Sequence, residues 1–451
     1  MEEISRGISR FLLARESIIC ETKDMEPFRA FGQRTFASLS IRNYRLFAIG
    51  QGISLSGTWM QSVAQGLLVL KLTGSGTQLG LVIALQSIPV LFLGPWGGVI
   101  ADRFPKRRIL YATQGSACAL GLSVGVLVVE DWIELWMLFL TATLLGLIKV
   151  FDNPTRQTFV REMVGNDLLA NAVSLNSTEM NLARVIGPTI AGALVATVGL
   201  GACFLIDGLS YGVVVVMLAM MRASDLLPTA AVPAAKGQLM AGLRYVRATP
   251  AVRNVLVMMA IVGMFTYEFS VVLPLFAEFT FNSNAGGYAA LTAAMGAGAV
   301  VGGLYTASRR RSSLRMLVAS SFLFGLSVLL VALAPSLIVA TVLMLVVGFF
   351  SINFTSLGNV TLQFESSPEM QGRVMALWSV AFLGTTPVGG PIMGYLGEHA
   401  GARWALLVGG LAAIAAAGIG LAAARRGEQA QKPVSARSGI EHAAGASHPP
   451  R

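Results

Sequence analysis

The chain contains, at residues 98–108, the stretch Gly-Val-Ile-Ala-Asp-Arg-Phe-Pro-Lys-Arg-Arg. Two apolar runs meet at this stretch, one from Leu79 to Ile100 and one from Ile109 to Val129. Each run is about 20 residues long, which is the length of an α-helix that crosses a bilayer. We therefore interpret the stretch as a short basic loop between two membrane-spanning helices, with its Asp at the end of the first helix.

The composition of the chain excludes several classes of protein. Of its 451 residues, 54% are hydrophobic and 12% are charged, and the mean hydropathy is +0.68. A soluble domain has about 25% charged residues, so a soluble enzyme, a disordered protein and a disulfide scaffold are excluded. The three cysteines have no regular spacing and the three histidines lie outside the apolar runs. We therefore expect no disulfide framework, no metal site and no cofactor.

Twelve apolar runs are long enough to cross a bilayer as helices, and we number them span 1 to span 12. The first six are Leu46–Leu70, Leu79–Ile100, Ile109–Val129, Leu135–Phe151, Ala172–Val198 and Cys203–Met221. The last six are Val252–Phe276, Tyr288–Ala307, Leu314–Leu333, Leu337–Leu357, Val374–Leu396 and Trp404–Ala424. Because the runs do not alternate every second residue, they predict an all-α membrane protein and exclude a β-barrel.

Basic residues predict the orientation of the chain in the membrane. Of the 33 Lys and Arg residues, 29 lie in or next to the N-terminal arm, the even-numbered connections and the C-terminal tail. The odd-numbered connections carry acidic residues instead, such as Glu130 and Glu398. We therefore expect both termini in the cytoplasm and the chain in the inner membrane of a bacterium. The net charge of +10 is then an orientation signal and not a nucleic-acid-binding surface.

The chain divides into two repeats around its one long interior polar connection. At an offset of about 205 residues, Gly57-Thr-Trp59 matches Phe265-Thr-Tyr267, and Asn153-Pro-Thr-Arg-Gln157 matches Asn359-Val-Thr-Leu-Gln363. Duplicated six-helix halves are typical of secondary transporters. We expect a cytoplasmic arm at 1–45, a bundle at 46–221, a cytoplasmic loop at 222–251, a second bundle at 252–424 and a disordered cytoplasmic tail at 425–451. We expect no cleavable signal peptide, with either Met1 or Met25 as the start.

The stretch 98–108 resembles the signature loop of the major facilitator superfamily, which joins a small-residue helix end to Ala-Asp-Arg and a basic pair. Pro105 stands where the family usually has Gly. The matching loop after span 8 keeps a basic run, Arg309 to Arg311, and lacks the Asp. The resemblance implies the major facilitator fold, with twelve transmembrane helices in two pseudo-symmetric six-helix bundles around a central cavity.

Four further segments resemble one branch of this superfamily, the drug:proton antiporters grouped with enterobactin exporters and macrolide efflux pumps. They are Asn43-Tyr-Arg-Leu-Phe47, Gly57-Thr-Trp-Met-Gln61, Asp152-Asn-Pro-Thr-Arg-Gln157 and Asn171-Ala-Val-Ser-Leu-Asn176. The resemblance extends over about residues 40–420. It implies a monomeric, proton-coupled exporter of bulky small molecules such as drugs, macrolides or siderophores.

Two alternatives stay open. A proton-coupled uptake symporter has the same fold, and a membrane-embedded transferase belongs to a different class. A transferase requires clustered His, Asp or Glu near one membrane interface, and the sequence shows no such cluster. The motif G-x-x-x-x-G-K-[ST] is also absent, so the chain is not a P-loop ATPase. We therefore expect a transporter and not an enzyme, with a small molecule, protons and the lipid bilayer as its partners and no nucleic acid.

The resemblance assigns a mechanical role to the signature loop. It implies that the Asp102 carboxylate meets the N-terminal end of span 11, near Gly372 and Arg373, where a helix dipole stabilises negative charge. This lock holds the cytoplasmic ends of the two halves together in the outward-open state. The loop residues of the lock are Gly98, Asp102, Arg103, Arg107 and Arg108. The alternative for the arginines is that they only orient the chain.

Span 1 carries a polar stripe. At 100° per residue, six polar side chains fall within an arc of about 100°: Gln51, Ser54, Thr58, Gln61, Ser62 and Gln65. Such a stripe does not face lipid, because its polar groups lack partners in hydrocarbon. We expect the stripe to line a water-filled cavity, and the alternative is polar contact with another helix.

Span 5 contains Gly187-Pro188-x-x-Ala191-Gly192, which resembles the antiporter motif of drug-efflux proteins. A proline removes one backbone hydrogen bond and kinks a helix. Small residues allow close approach of a neighbouring helix. We expect span 8 to approach the motif at Gly298 and Gly302.

Ionisable residues inside the spans are candidates for proton coupling, because each costs about 2.5–3.5 kcal/mol on insertion. Glu268 lies about fifteen residues into span 7, among apolar helical neighbours. Glu179 and Arg184 share span 5 but point about 140° apart, so they cannot pair with each other. Asp207 lies near the outer end of span 6, where water can reach it. Glu268 and Glu179 are the leading candidates, followed by Asp207 and Arg184.

Overall fold

The structure is a computed structural model that describes residues 36–227, 238–283, 285–308, 313–367 and 369–431. Within its helices, the side chains of residues 95, 102, 238–239, 307–308, 383 and 426–431 lie outside this description. The predicted arm up to residue 35 and the predicted tail from residue 432 also lie outside it. The described chain consists of helices and short connections without a strand. The prediction of an all-α protein is therefore confirmed.

Each predicted span of the first half is one continuous helix. Spans 1 to 6 are Arg42–Thr73, Gly76–Arg103, Lys106–Val129, Leu135–Val164, Leu169–Thr197 and Leu200–Met220. The tight turn between spans 1 and 2 follows from its sequence. Gly74 ends span 1 in the left-handed conformation, at φ 61°, which favours glycine. The Ser75 side chain then accepts a hydrogen bond from the Gln78 N–H and begins span 2.

The second half contains the remaining six spans, and two of them are broken. Spans 8, 9, 10 and 12 are Ala285–Ser308, Leu314–Ala332, Leu337–Glu365 and Ala402–Gln431. Span 7 consists of Pro250–Phe265, Phe269–Leu275 and a π-helical turn at Phe276–Thr280. Span 11 consists of Gln371–Leu383 and Thr386–His399. Both breaks correct the prediction of continuous helices.

A proline lies at the break in span 11, and a contact with another helix lies at the break in span 7. In span 11, Pro387 removes a backbone donor just after Gly384, which has a low helix propensity. In span 7, the Thr266 hydroxyl donates to the carbonyl oxygen of Gly409 in span 12 at 2.7 Å. Glu268 lies at this break and begins the short helix that follows. The prediction of an unbroken helix around Glu268 was wrong.

Ten helical segments of the described chain are long and apolar enough to cross a bilayer by length and composition. Spans 1 and 11 are the two predicted spans outside this group. Span 1 carries the polar stripe, and span 11 is divided at its break. Span 1 nevertheless has 32 helical residues, which extend over about 48 Å and exceed the thickness of the hydrocarbon core.

The internal repeat is visible in the packing of each half. Spans 3 and 6 cross where a Cβ atom on Gly121 would lie 2.9 Å from the Gly208 Cα. Spans 9 and 12 cross where a Cβ atom on Gly410 would lie 2.9 Å from the Gly325 carbonyl oxygen. The offset of the sequence repeat relates one glycine pair to the other. Both halves therefore use the same close backbone contact between corresponding helices.

The two halves meet along spans 2 and 11 and along spans 5 and 8. A Cβ atom on Gly76 would lie 2.7 Å from the Gly394 carbonyl oxygen, and one on Gly80 would collide with the carbonyl oxygen of Gly390. In the second contact, Gly192 packs against Ala289. These positions lie near the end of span 1, on the face that we call the distal side. The face at which span 1 begins is the terminal side.

Contacts between the halves are concentrated on the distal side. Span 2 packs mainly on the distal segment of span 11, Thr386–His399, and little on Gln371–Leu383. On the terminal side, a Cβ atom on Gly98 or on Gly372 would meet no described atom within 4 Å. The structure is therefore closed on the distal side.

Two helices extend well beyond their predicted ends, and one predicted loop contains a helix. Span 4 continues past Phe151 to Val164, and span 12 continues past Ala424 to Gln431. Residues 425–431 are therefore helical, because they are mostly good helix formers, and not part of a disordered tail. The predicted loop at 222–251 contains a helix, Gln238–Ala248. This helix packs against span 11 near Arg373.

We predict that Gly80→Leu opens the distal side. The new side chain collides with the backbone of Gly390, and such overpacking costs about 1–3 kcal/mol, a shift of roughly 5- to 150-fold in the closed-to-open ratio. The distance between spin labels at Leu72 and Ala400, one on each half, measures this ratio.

Gly94→Leu is the matched control in the same helix, because a Cβ atom there meets no described atom within 4 Å. An unchanged distance in Gly80→Leu, or an equal change in both variants, contradicts the assignment of the gate to this crossing.

Candidate transport path and gate

Glu268 lies where the breaks of spans 7 and 11 meet. A Cβ atom on Gly389 would lie 3.0 Å from its Oε1 atom, and one on Gly390 would lie 3.6 Å from its Oε2 atom. The Thr386 side chain lies close enough to interact with the carboxyl group. Glu268 is 4% exposed, and Oε1 has no hydrogen-bond partner among the described residues. A carboxyl group is thus enclosed at the beginning of the helix Thr386–His399.

The site of Glu268 adjoins the closed distal contact. Gly389 and Gly390 lie against Glu268, and Gly390 also lies against Gly80 of span 2. A helix N-terminus stabilises a carboxylate, whereas burial without full hydrogen bonding destabilises its charged form. The carboxyl group of Glu268 therefore lies directly beside the contact at which spans 2 and 11 close.

Arg184 lies between the two halves. Its guanidinium carbon is 5.0 Å from the centre of the Trp59 ring in span 1, a cation–π contact. Its backbone carbonyl packs against Gly296 of span 8, and its charge is close enough to interact with Tyr267 of span 7. The Arg184 Nε atom is buried without a partner in the described chain. Arg184 thus has an unused donor at the boundary between the halves.

An aromatic cluster continues from Tyr267 into the second half. The Tyr267 and Phe382 rings are 4.7 Å apart, and Phe382 stacks on Trp378 at 5.6 Å. The Tyr267 hydroxyl donates to the Ser351 carbonyl oxygen. The Trp378 Nε1 atom is buried and makes no hydrogen bond to any described residue. We call Trp59, Arg184, Tyr267, Trp378 and Phe382 the aromatic site.

The polar stripe of span 1 lies mostly inside the first half. Gln51, Ser54 and Gln61 are 1%, 4% and 7% exposed, so in this conformation they do not line an open cavity. Gln51 accepts a hydrogen bond from Arg156 of span 4, and the Thr58 and Tyr211 hydroxyls are 3.1 Å apart.

Gln61 and Gln65 border a cavity of about 10 Å³ against spans 3, 4 and 6. These contacts correspond to the alternative of polar packing between helices and correct the expectation of a water-filled cavity.

Sequence reasoning did not find the centre of this polar packing, which is Asp152. Its carboxylate accepts hydrogen bonds from Thr113 and Gln114 of span 3 and pairs with Arg156 at 3.1 Å. The i, i+4 spacing of Asp152 and Arg156 was a signal for this pair. The partners from span 3 are 38 and 39 residues away in sequence, so no local pattern predicts them.

Asp207 is fully buried in span 6. It is 0% exposed, and neither carboxylate oxygen has a hydrogen-bond partner in the described chain. Its Oδ1 atom would lie 2.8 Å from a Cβ atom on Gly57 of span 1. Lys149 of span 4 is close enough to interact with it electrostatically. The expectation that water reaches Asp207 was wrong for this conformation, because spans 1 and 6 cross at Gly57.

The basic residues of the signature loop differ in their contacts. Arg107 donates to the backbone carbonyls of Leu218 and Ala219 at the end of span 6. Arg103 and Arg108 are exposed. The neighbouring Lys106 pairs with Glu162 of span 4 at 2.6 Å.

The side chain of Asp102 lies outside the described part, although its backbone is in the last turn of span 2. The lock thus stays a prediction, while Arg107 stabilises the first half in this state.

The motif of span 5 packs against two helices. A Cβ atom on Gly187 would lie 2.5 Å from the Trp59 Cβ, so this glycine allows the close approach of span 1. Gly192 allows the close approach of span 8 at Ala289. Ala191 is fully buried, and Pro188 lies within a continuous helix.

The expected partners Gly298 and Gly302 contact span 10 instead, at Leu345 and Phe349. That part of the expectation was wrong, because the two glycines lie on the opposite face of span 8.

Glu398 joins the halves at the distal surface, beyond the membrane-spanning part of span 11. One of its oxygens accepts hydrogen bonds from the Ser75 hydroxyl at 2.7 Å, the Thr77 N–H at 3.0 Å and the Thr77 hydroxyl at 2.6 Å. Partial burial raises the pKa of Glu398, but these hydrogen bonds and nearby His399 outweigh it and hold the pKa below the ordinary value of 4.5. The carboxylate therefore stays ionised in moderately acidic medium. We call this contact the distal clasp.

The arrangement defines a class of protein. Two duplicated six-span halves, with an aromatic and ionisable site between them and a closed contact on one side, are the architecture of a secondary transporter. The chain matches the family model described as "Transmembrane secretion effector" over residues 33–441. It belongs to this family of the major facilitator superfamily and is a multi-pass membrane transporter, not an enzyme.

The chain is similar to siderophore transporters. It is 26% identical to the enterobactin exporter EntS of Escherichia coli O1:K1 over 363 residues, which cover 78% of this chain and 85% of that protein. It is 29% identical to the staphyloferrin A transporter of Staphylococcus aureus (strain NCTC 8325 / PS 47) over 162 residues. That match covers 36% of this chain and 41% of the relative.

Solved structures support the fold. A bacterial homologue of the human lysosomal transporter Spinster, in an inward-facing and unoccupied conformation, superposes with a TM-score of 0.69 at 15% identity. That alignment covers 85% of this chain and 97% of the other. A point mutant of the nucleoside transporter NupG superposes with a TM-score of 0.68 at 15% identity, covering 86% and 99%. At these identities the likeness establishes the major facilitator fold alone.

We predict that Glu398→Ala weakens the closed state. Losing the distal clasp destabilises the closed state by about 1 kcal/mol, which is roughly a fivefold change in the closed-to-open ratio. The distance between spin labels at Leu72 and Ala400 measures this ratio. Glu130→Ala, an exposed distal carboxylate in the connection between spans 3 and 4, is the control. Equal effects of the two substitutions argue against the clasp.

Proposed function

We propose that the protein exports siderophore-class molecules from the cytoplasm by proton-coupled alternating access. The observation that carries this proposal is the aromatic site, with two buried donors that have no partner in the described chain. One donor belongs to a cation, Arg184, and the other to the indole of Trp378. The proposed substrate is therefore a bulky molecule with aromatic or apolar parts and anionic oxygen donors.

The chemistry of siderophores fits these donors. Siderophores bind ferric iron through oxygen atoms that carry or share negative charge, and such oxygens accept hydrogen bonds from guanidinium and indole groups. Catechol rings also stack on aromatic side chains such as Phe382. The names of the relatives, an enterobactin exporter and a staphyloferrin A transporter, point to the same substrate class.

Export is the proposed direction. The terminal side carries most of the basic residues, which supports its assignment to the cytoplasm. The closed distal side then faces outward, and the present conformation is inward-facing. Span 11 begins on the open side, so the contact between Asp102 and the Gly372 region belongs to the opposite, outward-open state. The lock and the distal clasp thus form in opposite states and alternate during the transport cycle.

Glu268 is the proposed coupling residue. Closure of the distal side buries its carboxyl group, and burial favours the neutral form because an ionised group loses hydration. Separation of spans 2 and 11 exposes the group to the outer medium, where it exchanges its proton. When the distal side closes, the protonated group is enclosed, and binding of substrate from the open terminal side then drives release of this proton to the cytoplasm. Each cycle thus carries a proton inward and a substrate molecule outward. Uptake by symport is the alternative that the direction of transport tests.

We predict that Arg184→Gln and Trp378→Phe each raise the KM for a catecholate siderophore. Loss of the charged donor raises KM about tenfold and loss of the indole N–H raises it about threefold, because an accepting oxygen then loses its partner. Proton-driven accumulation in everted membrane vesicles gives these values.

The control is Trp404→Phe, because Trp404 is exposed at the start of span 12. Unchanged KM in both site variants contradicts the proposed substrate site. Accumulation in right-side-out vesicles but not in everted ones contradicts export.

We predict that Glu268→Gln abolishes gradient-driven accumulation while siderophore binding stays within about threefold of wild type. Gln has nearly the same shape but carries no exchangeable charge, so transport loses its coupling to the proton. Glu278→Gln, ten residues further along the chain and away from span 11, retains coupling. If Glu268→Gln still accumulates substrate against its gradient, the coupling assignment is wrong.

A further inference from the structure

A second cavity lies outside the proposed path, within the first half. It is a groove of about 610 Å³ between spans 1, 5 and 6, and we call it the lateral groove. Among the residues that line it are Ile49, Ile53, Glu179, Leu182, Ile206 and Leu209. Its volume falls in the range of pockets that hold drug-sized ligands, about 300–1,000 Å³.

The lateral groove opens toward the lipid. Ile53, Leu182 and Leu209 are 45%, 53% and 58% exposed, although they lie in the interior of membrane-spanning helices. Exposed apolar side chains at this depth contact the hydrocarbon of the bilayer. A ligand that enters the groove therefore comes from the membrane and has an apolar body.

Glu179 is the one charged side chain among the lining residues. The two ion pairs within the described chain join Lys106 to Glu162 and Arg156 to Asp152, so Glu179 belongs to neither. The nearby Tyr44 donates its hydroxyl to the Ala172 carbonyl oxygen and leaves the carboxylate free. The groove thus combines apolar walls with a carboxyl group that has no cation beside it among the described residues.

We propose that the lateral groove is a binding site for lipophilic organic cations that reach it from the bilayer. The cationic group pairs with the Glu179 carboxylate, and the apolar body lies along the isoleucine and leucine side chains of spans 1, 5 and 6. A hydrated inorganic cation does not fit, because the walls offer no further oxygen ligands to replace its water.

The position of Glu179 favours a membrane-soluble cation over a lipid headgroup. Glu179 is ten residues from the start of span 5, or about 15 Å along the helix axis. The groove then continues to Ile190, about 16 Å further into the distal half. The ammonium group of a phospholipid stays at the membrane surface, whereas a lipophilic cation can occupy this depth.

The lateral groove goes beyond the proposed transport function. The aromatic site offers a cation, Arg184, to an anionic substrate, whereas the groove offers an anion to a cationic ligand. The two sites have opposite charge preference and lie on different faces of span 1, near Trp59 and near Ile53 respectively. Binding in the groove is therefore measurable whether or not siderophore export is correct.

Two ions of similar size and opposite charge provide the test. We would measure the binding of radiolabelled tetraphenylphosphonium and tetraphenylborate to the purified full chain in lipid nanodiscs, with empty nanodiscs as the blank. We expect tetraphenylphosphonium to bind saturably. We expect tetraphenylborate to associate with the loaded nanodiscs only as much as it does with empty ones. Nanodiscs with and without phosphatidylethanolamine show whether a lipid ammonium competes. Strong competition assigns the groove to lipid and overturns the proposal.

Two variants locate the bound cation. Glu179→Gln removes the charge and should weaken tetraphenylphosphonium binding about tenfold. Gly52→Leu should weaken it as much, because Gly52 lines the groove and its Cβ atom would meet no described atom within 4 Å. The added side chain therefore fills the groove without disturbing the backbone. Gly115→Leu, also in open space but on span 3, is the matched control and should bind normally.

Several outcomes contradict the proposal. Equal binding in Glu179→Gln and wild type removes the role of the carboxylate. Equal loss in Gly52→Leu and Gly115→Leu shows a general effect of added bulk on the fold. Loss of binding in Glu268→Gln but not in Glu179→Gln places the cation in the central path and not in the groove.

Discussion

Spans 2 and 11 approach so closely at Gly80 and Gly390 that a single added methyl group would force the two halves apart. Helices in a bilayer gain little from apolar contact, so small residues that allow backbone contact determine where they associate. The crossing of Gly76 with Gly394 extends this contact toward the surface, where the distal clasp of Glu398 completes it. The closed distal side depends on this column of glycines.

The same crossing controls the environment of Glu268. Gly390 lies against both span 2 and the Glu268 carboxyl group, so we expect the packing of the halves and the hydration of this group to change together. The broken helices are part of this arrangement, because a continuous span 11 would place no helix N-terminus beside a carboxyl group in the membrane. Irregular backbone at the interface of two halves is a recurring feature of ion-coupled transporters.

The fold was largely predictable from the sequence, and the site only in part. Apolar runs and turn residues such as Gly74 and Ser75 are local signals, so the number and order of helices could be read directly. The direction in which the polar stripe of span 1 faces could not be read from the sequence, because Gln51 contacts Arg156, which is 105 residues away. The breaks in spans 7 and 11 depend partly on tertiary contacts such as the Thr266 bond to Gly409. Glu268 was found because an apolar surrounding makes a carboxylate conspicuous, but Trp378 and Phe382 resemble ordinary membrane aromatics until the fold assembles them.

The most direct test of this account is the pH dependence of the Leu72–Ala400 label distance in wild type and in Glu268→Gln. Closure buries Glu268, so protonation stabilises the closed state, and acidification should increase the closed fraction of wild type. The clasp does not mask this effect, since hydrogen bonds keep the Glu398 pKa below its ordinary value. In the Glu268→Gln variant, the distal side should be closed at every pH. A closed fraction that is independent of pH in wild type, or that still titrates in the variant, would contradict the coupling of Glu268 to the gate.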